Sequence, residues 1–175
     1  MLDMLIQGGR VVTLAGAGDW DVGIVGEKIV SVSAPGVLEA EAGQVIDARG
    51  KIVVPGGIEA HAHAVANVQP GARTLVAGVP NAGPLEHSLG AIWGGTTTVV
   101  DFAPVPHEGD LAQGIHDYLA PWRGNAYTDY STHCIYTNRT PPDVIARFHE
   151  LVEAGFPSAK IFTTDSDLRK GDRRA

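Results

Sequence analysis

The sequence predicts an α/β protein in which a small β-sandwich segment is followed by a parallel α/β region. Two observations carry this. Up to residue 56 the chain is a series of short stretches of alternating polarity broken by glycine: Leu5-Ile6, Arg10 to Thr13, Val22 to Val25, Ile29 to Ser33, Val45 to Asp47 and Lys51 to Val54. Short strands with regular turn signals suit a sandwich or meander. After Ile52-Val53-Val54-Pro55-Gly56-Gly57-Ile58 the pattern changes, and β-rich segments alternate with helical ones.

Each later element has its own warrant. Pro84 suits the first turn of a helix carrying Leu85, Leu89, Ile92 and Trp93. Thr96-Thr97-Thr98-Val99-Val100-Asp101-Phe102 reads as a strand from its β-branched content. A helix begins near Asp110, with Leu111, Ile115, Tyr118 and Leu119, and Ser131 to Tyr136 is the next strand. The following helix is capped by Thr140, has Pro141 in its first turn and Asp143 at capping-box spacing, and presents Val144, Ile145, Phe148, Leu151 and Val152 on one face. Gly155 ends it, and Ser158 to Thr164 forms another strand. With the segment before His61 this makes four β-elements. The tail from Asp165 offers only Leu168 for burial and reads as solvated. The expected organisation is therefore 1–56 as the sandwich segment, 57–164 as the α/β region and 165–175 as a charged, disordered tail.

Composition narrows the function. With 44% hydrophobic residues in 175, the chain is in the range of one soluble globular domain. A net charge of −7 without a basic stripe argues against nucleic acid as a partner. No apolar run reaches the roughly 18 to 20 residues that span a bilayer. The single Cys134 forms no internal disulfide, and Met1 to Leu5 opens no secretory signal, so a reducing cytoplasm is expected.

His61-Ala62-His63 follows an apolar strand. Residues two apart on a strand point the same way, so both imidazoles can reach one metal ion. Two partly exposed loop histidines would give the same pattern. The position after a Gly-Gly strand favours metal, because α/β barrels place their chemistry at strand C-termini.

The block Val53-Val54-Pro55-Gly56-Gly57-Ile58-Glu59-Ala60-His61-Ala62-His63 resembles the first-strand motif of the dihydropyrimidinase/hydantoinase family, cyclic amidohydrolases of the amidohydrolase superfamily. Leu5 to Val12 looks like the opening sandwich strand of that family, Gly94 to Phe102 is similar to its second barrel strand, and Asp129 to His133 to its third. The four blocks occur in the family's order over residues 1 to about 164. The resemblance implies a partial TIM-like (β/α)8 barrel, its first four strands or so. It also implies two Zn2+ ions with His61 and His63 as ligands, and a small cyclic amide as substrate.

Lys160, in Gly155-Phe156-Pro157-Ser158-Ala159-Lys160-Ile161-Phe162, matches the lysine that the family carboxylates to a carbamate bridging the two ions. An uncharged amine captures carbon dioxide, and the anionic oxygens suit a divalent pair. Read by itself, Lys160 is a lysine snorkelling from a strand end. Three positions depart from the family pattern. Glu59 stands where the family has Asp, Val65 where dihydroorotase-like relatives carry an arginine, and Asp165 where hydantoinases carry a tyrosine. Asp101 reads as a structural acceptor; His87, His107, His116, His133 and His149 as surface or interhelical residues; Cys134 as a core thiol.

The expected function is metal-dependent hydrolysis of a cyclic amide C–N bond, with Lys160 as the catalytic residue. The family's remaining ligands, two histidines from strands five and six and an aspartate from strand eight, are not in this sequence. A full barrel needs about 250 residues. An N-terminal fragment, or one piece of a homo-oligomer or split enzyme, is therefore expected. The alternative is a non-catalytic structural or interaction module.

Overall fold

The computed structural model describes residues 1–38, 41–65 and 82–163. It divides into two compact units, Met1–Pro55 and Gly56–Ala175. The expected tail at 165–175 lies outside the described residues.

In the first unit, β1 (Leu2–Thr13), β2 (Gly16–Val25), β3 (Lys28–Ser33), β4 (Ala42–Asp47) and β5 (Ile52–Val53) form one five-stranded sheet in the order β3-β2-β1-β4, with β5 also on β1. β1 and β2, and β2 and β3, pair antiparallel. β4 runs parallel along Leu2 to Gln7 of β1, and β5 runs parallel at Arg10 and Val11. Among the described residues the strands of the expected sandwich pair into one connected sheet, so the two separate sheets of a sandwich are not confirmed.

The reason lies at Gly8-Gly9. Two stretches that read as separate strands, Leu5-Ile6 and Arg10 to Thr13, are one strand of 12 residues with an irregularity in its pairing to β2 between Ile6 and Gly9. Gly8 adopts φ +72°, a conformation glycine tolerates, and its amide donates to Asp21 Oδ1 at 3.0 Å. Asp21 is buried and also accepts from the Gly36 amide at 2.9 Å. A carboxylate thus takes a donor that the bulge would leave bare.

In the second unit, β6 (Gly57–Glu59), β7 (Thr96–Pro104), β8 (Asp129–Ile135) and β9 (Ala159–Lys160) pair in parallel in sequence order, a curled half-barrel sheet. Between them run α1 (Pro84–Trp93), α2 (Leu111–Tyr118), a 3-10 turn (Ala120–Trp122), α3 (Pro142–Ala146) and α4 (Phe148–Glu153). Among the described residues β6 and β9 are the two outer strands.

Strand parity sorts the side chains. Val99 and Ala103 of β7 and Cys134 of β8 are buried in one cluster with Leu111, Ile115, Trp122, Val144 and Leu151. Phe102 and His133, displaced by one residue, occupy the opposite face. Asp110 caps α2 by accepting from the Gln113 amide at 3.0 Å, where the sequence starts that helix.

Two helices depart from expectation. Leu85, Leu89, Ile92 and Trp93 of α1 are exposed, while Pro84 and Ser88 are buried. The inward face is built by small residues. Ser88 Oγ donates to Leu85 O and accepts from the Tyr127 amide, each at 3.1 Å. The predicted helix after Thr140 is two short helices that meet at Arg147. Thr140 does not cap it. Its hydroxyl accepts from the Thr137 amide at 2.9 Å, and Pro141 takes the N-cap position. Gly155, at φ +95°, follows the C-cap as expected.

Candidate functional site

The site residues stand on the face of the sheet opposite the helices. His61 and His63 follow β6, and Lys160 ends β9, so they belong to the two outer strands. Gly56 makes the approach of β6 possible, because a Cβ there would collide with the Thr97 side chain. Past the ladder the contact continues as Ala62 N donates to Val100 O at 3.1 Å. Glu59 Oε1 accepts from the His61 amide at 2.8 Å, so the longer acid still reaches the backbone that carries the first histidine.

Phe102 is the floor on which these side chains meet. The residue is 3% exposed, and its ring lies 4.7 Å from the His61 ring and 4.8 Å from the His63 ring, centroid to centroid. The two imidazoles are 5.3 Å apart. Lys160 Nζ stands 5.1 Å from the centroid of the same phenyl ring and 5.6 Å from that of Phe162. The structure therefore brings His61, His63 and Lys160 together.

Partial desolvation lowers the pKa of His63 below the ordinary histidine value, although the residue as a whole is exposed. The charges of His61 and Lys160 push the same way, against Asp101. A neutral imidazole is the form that ligates a metal. Two imidazoles fit part of the shell of a divalent cation, whereas Lys160 in its charged form has no lone pair to offer one. Among the described residues no group of three or more His, Cys, Asp or Glu accompanies them.

Asp101 is completely buried on the helix face of β7. Its Oδ2 accepts from the Val65 amide at 2.9 Å and from Trp122 Nε1 at 3.0 Å; its Oδ1 accepts from the Phe102 amide at 2.7 Å. It is a structural acceptor, as its sequence position suggested, and it fixes the chain two residues beyond His63. Val65 is fully buried, facing the core. Asp165 lies outside the described residues.

Two participants were not singled out from the sequence. Phe102 carries no ligating atom, so a search for metal donors passes over it. His133, grouped with the surface histidines, is half-buried with its ring 5.4 Å from Phe102. The signal was its register, since His133 pairs directly with Phe102 across β7 and β8. His116 and His87 do lie among helices, against Phe156 and Trp122. Cys134 is a buried free thiol.

No family model matches the chain. The D-hydantoinase of Streptomyces coelicolor is 35% identical over 161 residues, 90% of this chain and 33% of that protein. D-hydantoinase from a Bacillus sp. AR9 superposes with a TM-score of 0.77 at 29% identity, over 97% of this chain and 35% of that one. Dihydropyrimidinase from Brevibacillus agri NCHU1002 gives a TM-score of 0.69 at 30% identity, over 85% and 30% of the two chains. The chain spans about a third of the length of these relatives. No helix among the described residues is long and apolar enough to cross a membrane. Over the portion it spans, the chain belongs to the hydantoinase/dihydropyrimidinase family of the amidohydrolase superfamily.

Proposed function

We propose that the chain supplies one side of the active site of a metal-dependent hydrolase that opens cyclic amides of the hydantoin or dihydropyrimidine type. The observation that carries this is the gathering of His61, His63 and Lys160 around Phe102 from the two outer strands. His61 and His63 would hold a divalent cation, Zn2+ being the expected one. Lys160, once its neutral amine has added to carbon dioxide and lost a proton, would offer a pair of ions a carbamate whose single negative charge is shared by two oxygens. When bound, such a pair supplies an activated water and Lewis-acid polarisation of the amide carbonyl. The chain's own residues do the positioning. Phe102 excludes water beneath the imidazoles, Glu59 and Asp101 fix the backbone on either side of them, and the lowered pKa of His63 keeps it available as a ligand.

The remaining ligands and the proton shuttle would come from polypeptide outside these 175 residues. The reading favours no useful turnover by the chain alone, since a missing general acid forfeits roughly 10² to 10⁴ in rate. The second reading, a non-catalytic module, draws on the small donor set among the described residues. One experiment separates them. Zinc binding is measured for the wild type and for His61→Ala, His63→Ala and Lys160→Ala. 13C-bicarbonate NMR looks for a carbamate, and ring opening of hydantoin and dihydrouracil is followed with and without a polypeptide carrying the remaining strands. Lys160-dependent activity only in the mixture supports the enzyme reading. Zinc binding indifferent to His61 and His63 refutes it.

A further inference from the structure

His133 is bonded to both arms of the proposed centre. Its Nε2 lies 3.2 Å from Ala60 O and its Nδ1 lies 2.7 Å from Ser158 Oγ. A carbonyl can only accept, so Nε2 carries the proton; in the neutral ring Nδ1 then accepts from the Ser158 hydroxyl. Ala60 immediately precedes His61, and Ser158 stands two residues before Lys160, on the same side of an extended chain. β6 and β9 are not paired, because β7 and β8 lie between them. The imidazole of β8 therefore reaches the chain after one outer strand and the chain before the other. With both nitrogens engaged, it has no lone pair left for a cation.

We infer that His133 is a positioning residue, a bridge that holds the ends of β6 and β9 at the separation at which His61, His63 and Lys160 face one another. This rests on the proposed metal reading only for its consequence; the bridge itself is a property of the metal-free chain. A residue that orients ligands in this way typically controls metal affinity by about 10- to 100-fold. The bond to Ala60 O and the bond to Ser158 each contribute the free energy of an ordinary hydrogen bond, about 0.5–1.5 kcal/mol, or roughly two- to ten-fold in a local opening equilibrium.

The test uses the full 175-residue chain. Two-bond 1H–15N spectra of the imidazoles report the His133 tautomer, which should be Nε2–H. Amide exchange is followed at Ala62, which donates to Val100 O, and at Tyr136, which donates to Lys160 O. His133→Ala should accelerate exchange at both amides by about two- to ten-fold, with the centre of β7 unchanged. Ser158→Ala should accelerate Tyr136 alone, and His133→Gln, which keeps a donor for Ala60 O, should restore Ala62. Zinc affinity should fall by about 10- to 100-fold in His133→Ala. Cys134→Ala, on the opposite face of the same strand, serves as the control for lost stability and should change neither the local pattern nor the zinc affinity.

An Nδ1–H tautomer overturns the inference, as does exchange at Ala62 and Tyr136 that is unchanged or rises everywhere alike in His133→Ala and Cys134→Ala. So does zinc binding that needs His61 yet is untouched by His133→Ala. Zinc binding that ignores His61 in the wild type sinks the metal reading instead, and the exchange pattern then decides the bridge alone.

Discussion

Replacing Asp101 by alanine should destabilise the chain by about 4 kcal/mol. The carboxylate accepts from the Val65 amide and the Trp122 indole, and Trp122 is fully buried. Removing it strands these two donors to Oδ2 in the core, at about 1–3 kcal/mol each, for a total of about 2–6 kcal/mol, and the Phe102 amide loses its contact with Oδ1 as well. Asp101→Asn retains one oxygen and should cost about 1–2 kcal/mol. Trp122→Phe tests whether the two groups act together. In the Asp101→Ala background the indole is already unsatisfied, so its removal should cost less than in the wild type, giving a coupling of about 1.5–3 kcal/mol. The assay is urea unfolding followed by far-UV circular dichroism, because tryptophan fluorescence would itself change with Trp122. A loss under about 1 kcal/mol for Asp101→Ala, or an additive cycle, would refute the account of Asp101 as the acceptor that holds the chain beyond His63.

Further outcomes follow from other features. Burial raises the Cys134 thiol from 9.0 to about 11 and, with Asp101 nearby, the Tyr118 hydroxyl from 10.0 to about 12. Both groups are neutral when protonated and ionise more readily unfolded, so their contribution is full below pH 9 and is lost as pH rises towards 11 to 12. Urea midpoints measured from pH 8 to 11 should fall, and fall less in Cys134→Ala; a flat profile contradicts this. Phe102→Ala should cost about 3–5 kcal/mol and abolish His61-dependent zinc binding, checked by calorimetry. Gly8→Ala forces an L-residue to φ +72° and sets its Cβ 2.7 Å from Arg49 Cγ, so thermal unfolding should show a loss of about 1–2 kcal/mol. The two outer strands of the half-barrel sheet invite pairing, and size-exclusion chromatography should show self-association; a compact monomer that melts cooperatively would count against it.

The legible parts of the sequence were those in which local chemistry and tertiary role agree. The Thr96 to Phe102 run is a strand because β-branched residues suit it there, Asp110 caps its helix, and Gly155 turns the chain out of one. His61 and His63 lie beyond the end of β6, yet both are exposed while Ala62 between them is buried. Other elements answer to partners that the local sequence does not show. Gly8-Gly9 reads as a strand break until Asp21, distant in sequence, takes the bulge amide. The apolar residues of α1 suggested its buried face, but Ser88 is what the neighbouring backbone at Tyr127 selects. Thr140 is a good cap by type, yet Thr137 claims its hydroxyl first. His133 offered no ligand spacing, and only the alignment of β8 with β7 sets it beside Phe102.

The alternation along β7 has a consequence for folding fidelity. Asp101 faces the helices and Phe102 faces the histidines, so a slip of one residue would exchange them. The carboxylate would leave two core donors bare, and the phenyl ring would be driven into a helix layer already filled by Trp122. Neither face tolerates the shifted alignment, so mispairing at this strand is rejected twice over, by an electrostatic fault on one side and a steric one on the other.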